Sequence, residues 1–316
     1  MTRPHAWIWS SFVVAVTVVA LGINTVIVDH STRAAAPRDG GSLIEAGPLR
    51  ANVRVQGAGP TIVLLHGLSA ALDWWDSVAG PLAADHRVVS IDLIGHGGTA
   101  APASNYAIKR QADLVAAILD KLDIGRAAII GHSMGGDVAT AFVEAHPERV
   151  DSLVLIDCPP AATERYNVAT SLYLIPVVGE LFSHFRADQA VSWGLSQAFA
   201  PGFKMPEHFI DDVRQVPYAA FRSAHDESVA FRRAGTINSR LGAIRPAPPL
   251  LVIVGSLDPF VPPSSAKVFE KIPGAHIVTL AGVGHSPMVE APAKTLTIIR
   301  SFLSTIHEMP STNALH

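Results

Sequence analysis

From about Leu43 onward, the chain alternates between short apolar segments and longer amphipathic ones. The short segments are rich in Val and Ile and carry apolar residues at consecutive positions. Segments that are apolar on both faces and bounded by turn residues are typical of strands buried inside a parallel sheet. The pattern predicts strands at Ala51–Gln56, Thr61–Leu65, Val88–Leu93, Ala127–Ile130, Leu153–Asp157, Leu250–Gly255 and Ile277–Leu280.

Helical periodicity separates most of the later strands. Apolar residues spaced three and four apart predict helices that cover the two faces of the sheet. The segments with this spacing are Ile108–Leu122, Gly135–His146, Ser264–Lys271 and Thr295–Ile306. The predicted fold class is therefore α/β, with a mostly parallel sheet between two helical layers.

The alternation of strand and helix stops between Pro159 and Pro249. Within that stretch, Asp188–Phe199 and Tyr218–Arg233 have helical spacing. An insertion of this size between two core strands indicates a helical cap, which we place at about residues 159–248. The cap interrupts a predicted domain of residues 43–306, and residues 307–316 form a predicted C-terminal tail.

The N-terminal 42 residues are predicted to be a transmembrane segment followed by a linker. Residues 6–28 carry no formal charge, and such a run is long enough to cross a bilayer. Trp7 and Trp9 lie at one end of the run, where interfacial aromatic residues are expected. The alternative is a signal peptide cleaved near Ala36, but the long apolar run and Pro37 favour an uncleaved anchor.

The same segment predicts where the domain resides. Exported proteins begin with an apolar segment, so we expect a membrane-anchored protein whose domain of residues 43–306 lies outside the cytoplasm. The alternative is a secreted protein released by signal cleavage. Charges flanking the run differ little between its two sides, with Arg3 on one side and Arg33 and Arg38 on the other.

Composition excludes several classes of protein. The net charge is -3 and no basic run is present, which argues against nucleic-acid binding. Cys158 is the only cysteine, so no intramolecular disulfide can form, and its position after an apolar strand indicates a small buried residue. The sequence has neither a His/Cys cluster at metal-ligand spacing nor a phosphate-binding glycine loop. We therefore predict no metal and no cofactor, and nothing indicates an oligomeric state.

Ser133 is the first candidate for chemistry. It lies in Gly131-His132-Ser133-Met134-Gly135-Gly136, between a predicted strand and a predicted helix. A G-x-S-x-G motif in that context is typical of a sharp turn that exposes a nucleophilic serine at the edge of the sheet. The N–H groups at the start of the helix can then stabilise a developing oxyanion.

A nucleophilic serine needs a base, and the base needs a carboxylate that orients it. His285 follows the last predicted strand on a glycine-flanked loop, and imidazole can exchange a proton near neutral pH. Asp258 follows the strand Leu250–Gly255, at the strand end where ligands bind in parallel sheets. Asp157, which ends the preceding strand, is the competing candidate for the acid. The predicted catalytic residues are Ser133, Asp258 and His285.

The backbone N–H groups of Leu68 and Met134 are the predicted oxyanion hole. Leu68 lies on the loop after the strand Thr61–Leu65, and Met134 directly follows the serine. His66 is expected to organise this loop by hydrogen bonding rather than to transfer protons. His132 is expected to point away from the serine and to pack.

Together these motifs resemble the α/β-hydrolase superfamily, over roughly residues 43–306. The motifs are H-G-L at residues 66–68, D-x-x-G-H-G at 92–97, G-H-S-M-G-G at 131–136, D-x-x-V-P at 258–262 and G-H-S-P-M-V-E-x-P at 284–292. The resemblance implies an eight-stranded sheet and supports the three catalytic assignments. The segment before His66 is short, which predicts truncated or unusually paired first strands. The superfamily also includes dehalogenases and epoxide hydrolases, but their nucleophile is a carboxylate, which Ser133 disfavours.

The sequence therefore predicts a capped, lipase- or esterase-like serine hydrolase that cleaves carboxylic esters through an acyl-enzyme. A carbon–carbon bond hydrolase or a cofactor-free perhydrolase or haloperoxidase would use the same three residues. A membrane-tethered, non-catalytic ligand-binding protein is a further alternative, although such a protein has no need of all three. An apolar cluster at residues 172–185 of the cap favours an apolar acyl or alcohol group, if it faces the pocket rather than the cap's own core.

Overall fold

The computed structural model of the protein describes residues 11–19, 33–163, 168–184 and 188–307. Its strands are β1 (Ser42–Ala46), β2 (Leu49–Gln56), β3 (Thr61–Leu65), β4 (Arg87–Ile91), β5 (Ala127–His132), β6 (Val150–Ile156), β7 (Leu250–Gly255) and β8 (His276–Leu280). They form one sheet in the order β1-β2-β4-β3-β5-β6-β7-β8. The strands from β4 to β8 in this order pair in parallel, whereas β2 is antiparallel to both β1 and β4. The predicted α/β class and the eight-stranded, mostly parallel sheet are confirmed.

Helices lie between the strands and above the sheet. From residue 33 onward, the described α-helices are α1 (Asp76–Leu82), α2 (Ile108–Lys121), α3 (Met134–Ala145), α4 (Val168–Tyr173), α5 (Pro176–His184), α6 (Asp188–Ser196), α7 (Phe209–Gln215), α8 (Tyr218–Ala234), α9 (Ile237–Ala243), α10 (Pro287–Glu290) and α11 (Pro292–His307). Short 3-10 helices occupy Leu72–Trp75, Pro147–Arg149 and Pro263–Lys271. The last of these was predicted as an ordinary helix, but its N–H groups, such as that of Ser265, bond three residues back.

The sheet separates two apolar layers. Val63 of β3 belongs to the layer formed with α2 and α3, whereas its neighbours Ile62 and Leu64 belong to the layer formed with α1 and α11. Successive side chains of a strand point to opposite faces, so a central strand needs apolar residues at every position. Burying each Val, Leu or Ile contributes roughly 1.5–3 kcal/mol. This is why the inner strands could be recognised from sequence.

The first strand was missed. β1 pairs along its full length with β2, from Ser42 opposite Val53 to Ala46 opposite Leu49. It is an edge strand with exposed and half-buried side chains, so its sequence lacks the continuous apolar run of the inner strands. β2 pairs regularly with both neighbours, and the expectation of unusual pairing near the start of the sheet is wrong.

The segment before β1 is packed on the domain from Arg33 onward, where a free linker was predicted. The backbone of Arg33 pairs with Ala101 through two hydrogen bonds of 3.0 and 2.9 Å. The N–H of Ala36 donates to Gly98, and the Arg33 guanidinium reaches the carbonyl of Thr99 at 2.9 Å. Contacts with the domain therefore begin about ten residues before the predicted boundary near Leu43.

Residues 11–19 are helical, and the rest of the predicted transmembrane segment 6–28 lies outside the described residues. Within the described part of the chain, no helix combines the length and the hydrophobicity that a membrane crossing requires. The predicted tail 307–316 also lies outside that part, except for the last residue of α11.

Helices α4 to α9 lie between β6 and β7, in the stretch predicted to form a cap. A buried ion pair connects them to the layer beneath. Arg232 of α8 donates through Nη1 to the carboxylate of Asp137 on α3, and to Ser228 Oγ at 2.8 Å. Ser228 also donates to Asp137. Burial raises the pKa of Asp137 to about 6, although the neighbouring Arg232 opposes that rise.

Removing one member of this pair should be more damaging than removing both. Asp137→Leu leaves the buried Arg232 without its carboxylate, and we expect the free energy of unfolding to fall by about 3–5 kcal/mol. The double variant Asp137→Leu/Arg232→Met should regain most of this loss, as measured by urea denaturation. As a control, Asp151→Ala removes the exposed pair with Arg126 and should cost about 1 kcal/mol or less. A double variant no more stable than the single one would contradict this expectation.

Candidate active site

Ser133 lies on a strained turn between β5 and α3. Its φ of 50° is in the left-handed region, which non-glycine residues rarely adopt. The turn brings the backbone of the strand and the helix into close approach. A Cβ on Gly131 would come within 2.3 Å of the Gly135 carbonyl oxygen, and a Cβ on Gly135 within 2.3 Å of that of Leu65. Both positions therefore accept only glycine, and the hydroxyl projects at the carboxyl edge of the sheet.

The structure brings Ser133, His285 and Asp258 into one hydrogen-bonded chain. His285 Nε2 lies 3.0 Å from Ser133 Oγ, and His285 Nδ1 lies 2.7 Å from Asp258 Oδ2. The ring thus contacts the hydroxyl through one nitrogen and the carboxylate through the other. This arrangement can take the serine proton onto Nε2 while the carboxylate holds the ring and its tautomer.

Asp258 is held as an ionised group despite its burial. Its Oδ1 accepts hydrogen bonds from the backbone N–H groups of Phe260 at 2.8 Å and Val261 at 3.0 Å. Burial alone would raise the pKa of this carboxyl, but His285 and the two N–H groups outweigh burial and hold the pKa below its ordinary value. The negative charge is therefore available to stabilise a protonated His285.

Glu290 organises the loop that carries His285, a role not expected from the sequence. Its Oε2 accepts the N–H groups of Gly284 and Ala200, at 2.9 and 2.8 Å, and its Oε1 accepts that of Ser286 at 3.0 Å. One carboxylate thus clamps both neighbours of the histidine and a residue of the insertion. The signal in the sequence was the glutamate of G-H-S-P-M-V-E-x-P, which was noted only as part of a motif.

His132 supports the loop of His285, a role beyond the packing expected from the sequence. Its Nε2 donates to the backbone carbonyl of His285 at 2.7 Å, and the two rings lie 5.0 Å apart. Burial, followed by the nearby His285, lowers the pKa of His132 to about 3. His132 is therefore neutral at physiological pH and supports the backbone of His285.

Leu68 and Met134, the predicted oxyanion donors, line the same cavity as Ser133 and His285. The loop of Leu68 passes directly over the serine. A Cβ on Gly67 would lie 2.9 Å from Nδ1 of His132 and 3.2 Å from the Cβ of Ser133, so a larger residue would crowd both side chains. Leu68 comes before the serine in the sequence and Met134 directly after it, and the fold brings both to the wall of the cavity above Ser133.

His66 organises this loop, as the sequence suggested. Its Nδ1 donates to the Gly67 carbonyl at 2.7 Å, and its Nε2 accepts the N–H of Leu93 at 3.0 Å. Burial holds the pKa of His66 well below its ordinary value, and His96 adds to the effect. A ring that donates from one nitrogen and accepts at the other is neutral, so His66 is a structural link between the loops after β3 and β4.

The D-x-x-G-H-G segment is a turn stabilised by its aspartate. The buried Asp92 accepts hydrogen bonds from Leu72 N–H at 2.7 Å, Gly98 N–H at 2.7 Å and the Asn52 amide at 2.8 Å. Burial raises the pKa of Asp92 to about 6, against the effect of these three donors. The segment thus ties β2, β4 and the loop after β3 together, which agrees with its interpretation as a structural turn.

A cavity of about 190 Å³ opens over Ser133 and His285. Its wall is mainly apolar, and the side chains from the insertion include Leu174, Leu195 and Phe221. One stripe is polar: His225, Ser228 and Arg232 face the cavity from α8. Trp74 also lines the cavity and donates its indole N–H to Asp212 of α7 at 3.1 Å.

The predicted apolar cluster of residues 172–185 only partly faces this cavity. Leu174 lines it, but other members of the cluster are exposed to solvent, among them Leu172, Ile175, Leu181 and Phe182. The described part of the cluster is therefore not simply the core of the cap.

Two groups of side chains in the described residues are close enough to share a metal ion. One comprises Asp157, Asp258 and His285, and the other Asp39, Asp73 and Asp212. In the first group, His285 and Asp258 already bond to each other and to Ser133, Phe260 and Val261, which suits proton transfer. In the second, Trp74 donates to Asp212 and His208 pairs with Asp73 at 3.4 Å.

Comparison with known proteins agrees with this geometry. Residues 60–292 match the sequence profile of the alpha/beta hydrolase fold family. The chain is 28% identical over 256 residues to pimeloyl-(acyl-carrier protein) methyl ester esterase of Aeromonas salmonicida, which covers 78% of this chain and 96% of that protein. It is 27% identical over 290 residues to 2-hydroxymuconate semialdehyde hydrolase of a Pseudomonas species, over 85% of this chain and 95% of that one.

A solved structure extends the similarity to the three-dimensional fold. The crystal structure of a bacterial membrane phospholipase A matches with a TM-score of 0.72 and 26% sequence identity, over 94% of each chain. The profile match covers well over half of the present sequence, and the eight-stranded sheet and the Ser133 turn are those expected from the sequence motifs. The chain therefore belongs to the alpha/beta hydrolase fold family, and it is a hydrolase.

Proposed function

We propose that the protein is a serine hydrolase that cleaves carboxylic esters through an acyl-enzyme on Ser133. The observation that carries the proposal is the hydrogen-bonded chain from Ser133 through His285 to Asp258, which opens into a mainly apolar cavity. The relatives support an ester substrate, because one is named an ester esterase and one solved structure a phospholipase.

In the proposed mechanism, Ser133 Oγ attacks the ester carbonyl carbon while His285 Nε2 accepts its proton. The N–H groups of Leu68 and Met134 stabilise the oxyanion of the tetrahedral intermediate. Collapse of this intermediate expels the alcohol, which takes the proton from His285 and leaves the acyl group on Ser133. A water molecule then gives a proton to His285 and attacks the acyl carbon. When the acyl–serine bond breaks, His285 returns this proton to Ser133 Oγ, and the acid is released.

Substitutions of Ser133 and Asp258 should both lower kcat, but for different reasons. Ser133→Ala removes the nucleophile, so we expect kcat to fall by at least about a thousandfold and labelling by a fluorophosphonate probe to be lost. Asp258→Asn leaves the geometry in place but cannot hold the required tautomer, and kcat should fall by about 10⁴-fold. Esterase assays and labelling gels would measure both. Labelling that survives Ser133→Ala would contradict the assignment of the nucleophile.

The cavity favours a small or medium apolar acyl group. A volume of about 190 Å³ is below the range typical of sites for drug-sized ligands, and Leu174, Leu195 and Phe221 offer it apolar contacts. Each methylene buried in such a pocket contributes about 0.8 kcal/mol, so affinity should rise with chain length until the cavity is full.

A series of p-nitrophenyl esters from acetate to dodecanoate tests this expectation. We expect kcat/KM to rise from acetate, pass through a maximum at a short or medium chain and then fall. Leu195→Trp, which narrows the cavity, should move the maximum to shorter chains. A steady fall from acetate onward would contradict an apolar acyl site.

A carbon–carbon bond hydrolase is the second candidate, because one relative is named 2-hydroxymuconate semialdehyde hydrolase. The polar stripe of His225, Ser228 and Arg232 would suit a substrate with polar groups at that wall. Turnover of a dienone substrate without ester cleavage would favour this candidate, and halide oxidation with peroxide would favour a perhydrolase. Tight ligand binding without any turnover would indicate the non-catalytic binding protein.

We further propose that the N-terminal segment anchors the protein in a membrane, with the catalytic domain outside the cytoplasm. The uncharged run of residues 6–28 supports an anchor. Exposed apolar side chains of the insertion, such as Phe182 and Trp193, would suit contact with lipid. Cleavage near Ala36 would remove Arg33 and its two backbone bonds to Ala101, which argues against a mature protein that begins there.

Membrane fractionation tests the anchor. The full chain should sediment with membranes and resist alkaline carbonate, whereas a chain that begins at Arg33 should be released and remain active. A chain that begins at Asp39 lacks the contacts of Arg33 and Ala36, so we expect a lower unfolding temperature for it. Export of the domain would be seen as accessibility to added protease in intact cells. A protein found in the medium with its first residue just after Ala36 would refute the anchor and establish secretion.

A further inference from the structure

A second buried carboxyl group lies beside the Ser133–His285–Asp258 chain. Asp157 follows the last residue of β6, its side chain is inaccessible to solvent, and one of its oxygens lies within 4.8 Å of both the Asp258 carboxylate and a ring nitrogen of His285. The mechanism above makes no use of this group. Asp157 was the competing candidate for the acid, but it is Asp258 that bonds to His285 at 2.7 Å.

The position of Asp157 is defined by its backbone and by a single hydrogen bond to its side chain. Its φ of 43° is left-handed, and its N–H donates to the Ile253 carbonyl at 2.9 Å. Oδ1 accepts the N–H of Gly255 at 2.9 Å. Oδ2 is buried and has no donor among the described groups. Since Asp157 has a donor for one oxygen only, its other oxygen is free to carry a proton.

Two buried carboxyl groups at this distance are not both ionised, because repulsion adds to the cost of removing each charge from water. Asp258 is the better stabilised of the two, since it faces His285 and two backbone N–H groups. Asp157 has one N–H group, and Glu290 adds a further negative charge nearby. Burial, then the charge of Asp258, raises the pKa of Asp157 well above its ordinary value. These contacts favour placing the shared proton on Asp157 rather than on Asp258.

We propose that Asp157 is a neutral carboxylic acid that donates its O–H to the carboxylate of Asp258 and so positions the acid of the catalytic chain. The inference rests on the proposed function, because it assigns a partner to Asp258 in that mechanism. Asp157 does not touch the substrate and acts through Asp258. Its donated hydrogen bond keeps Asp258 ionised and directed at His285 Nδ1.

An asparagine at position 157 can reproduce both contacts of a neutral acid. Its carbonyl can accept the Gly255 N–H, and its NH₂ group can donate to Asp258. Asparagine also tolerates the left-handed backbone. Asp157→Asn should therefore keep kcat/KM within about threefold of the wild type. If Asp157 were ionised instead, asparagine could not take its place, because the substitution would remove the negative charge.

Asp157→Gly removes the donor while suiting the positive φ. Asp258 should then be less well oriented, and we expect kcat to fall by about 10- to 100-fold with little change in KM. The loss of a donor also raises the pKa of Asp258, so the acid limb of the pH profile should move to higher pH. Asp157→Asn should leave that limb in place. If Asp157 had only a structural role, Asp157→Gly would lower the stability of the protein without moving the acid limb of the pH profile.

The experiment compares the pH dependence of kcat/KM for the wild type, Asp157→Asn, Asp157→Gly and the control Asp151→Asn, which alters an exposed carboxyl at the other end of β6. Circular dichroism and thermal melts would check that each variant folds. The proposal is overturned if Asp157→Asn loses activity as severely as Asp258→Asn, or if Asp157→Gly retains full activity with an unmoved profile. A third outcome would also overturn it. If Asp258→Asn remains active and the double variant Asp258→Asn/Asp157→Asn is inactive, Asp157 itself would be the carboxylate that orients His285.

Failure of this inference differs from failure of the proposed function. A wild-type protein that cleaves no ester and takes no fluorophosphonate label would refute the serine esterase. A wild-type protein that is active and labelled, with Asp157 variants that behave contrary to expectation, would refute only the role of Asp157.

Discussion

The rest of the active site depends on the close approach of β5 and α3 around Ser133. The turn holds a non-glycine residue at a φ of 50°, and it is possible only because Gly131 and Gly135 lack a Cβ. Backbone strain of this kind costs on the order of 1–3 kcal/mol and persists only where the surroundings hold it. Here the N–H of Ser133 bonds to Ile156, and central strands on both sides of β5 fix the turn. Ser133 is therefore placed by the sheet rather than by its own loop.

Carboxylates do much of the remaining positioning. Asp92, Glu290 and Asp258 each accept two or more backbone N–H groups, and each lies on or beside a loop at the carboxyl edge of the sheet. Loops that leave a parallel sheet carry N–H groups without strand partners, and a carboxylate with two oxygens can satisfy several at once. These hydrogen bonds hold the loops of the site and thereby set the distances from Ser133 to His285 and from His285 to Asp258.

The insertion is joined to the core differently. Arg232 and Asp137 form a buried ion pair beneath the cavity, and Glu290 reaches the N–H of Ala200. A buried pair adds little to net stability compared with apolar packing, but breaking it leaves a charge without a partner. Such contacts fix how the insertion sits over the serine. They also place the polar stripe of α8 opposite an otherwise apolar wall of the cavity.

The order of strands and helices, the inner strands of the sheet and the positions of Ser133, Asp258 and His285 followed from sequence, because they depend on local patterns. An inner strand must be apolar on both faces, and a sharp turn must have small neighbours. The edge strand β1 was missed, since half-exposed residues leave no such pattern, and the packing of Arg33 on Ala101 joins segments far apart in the chain. The sequence favoured Asp258 over Asp157 as the partner of His285, but both aspartates follow neighbouring strands, and only the distances of the tertiary structure distinguish them.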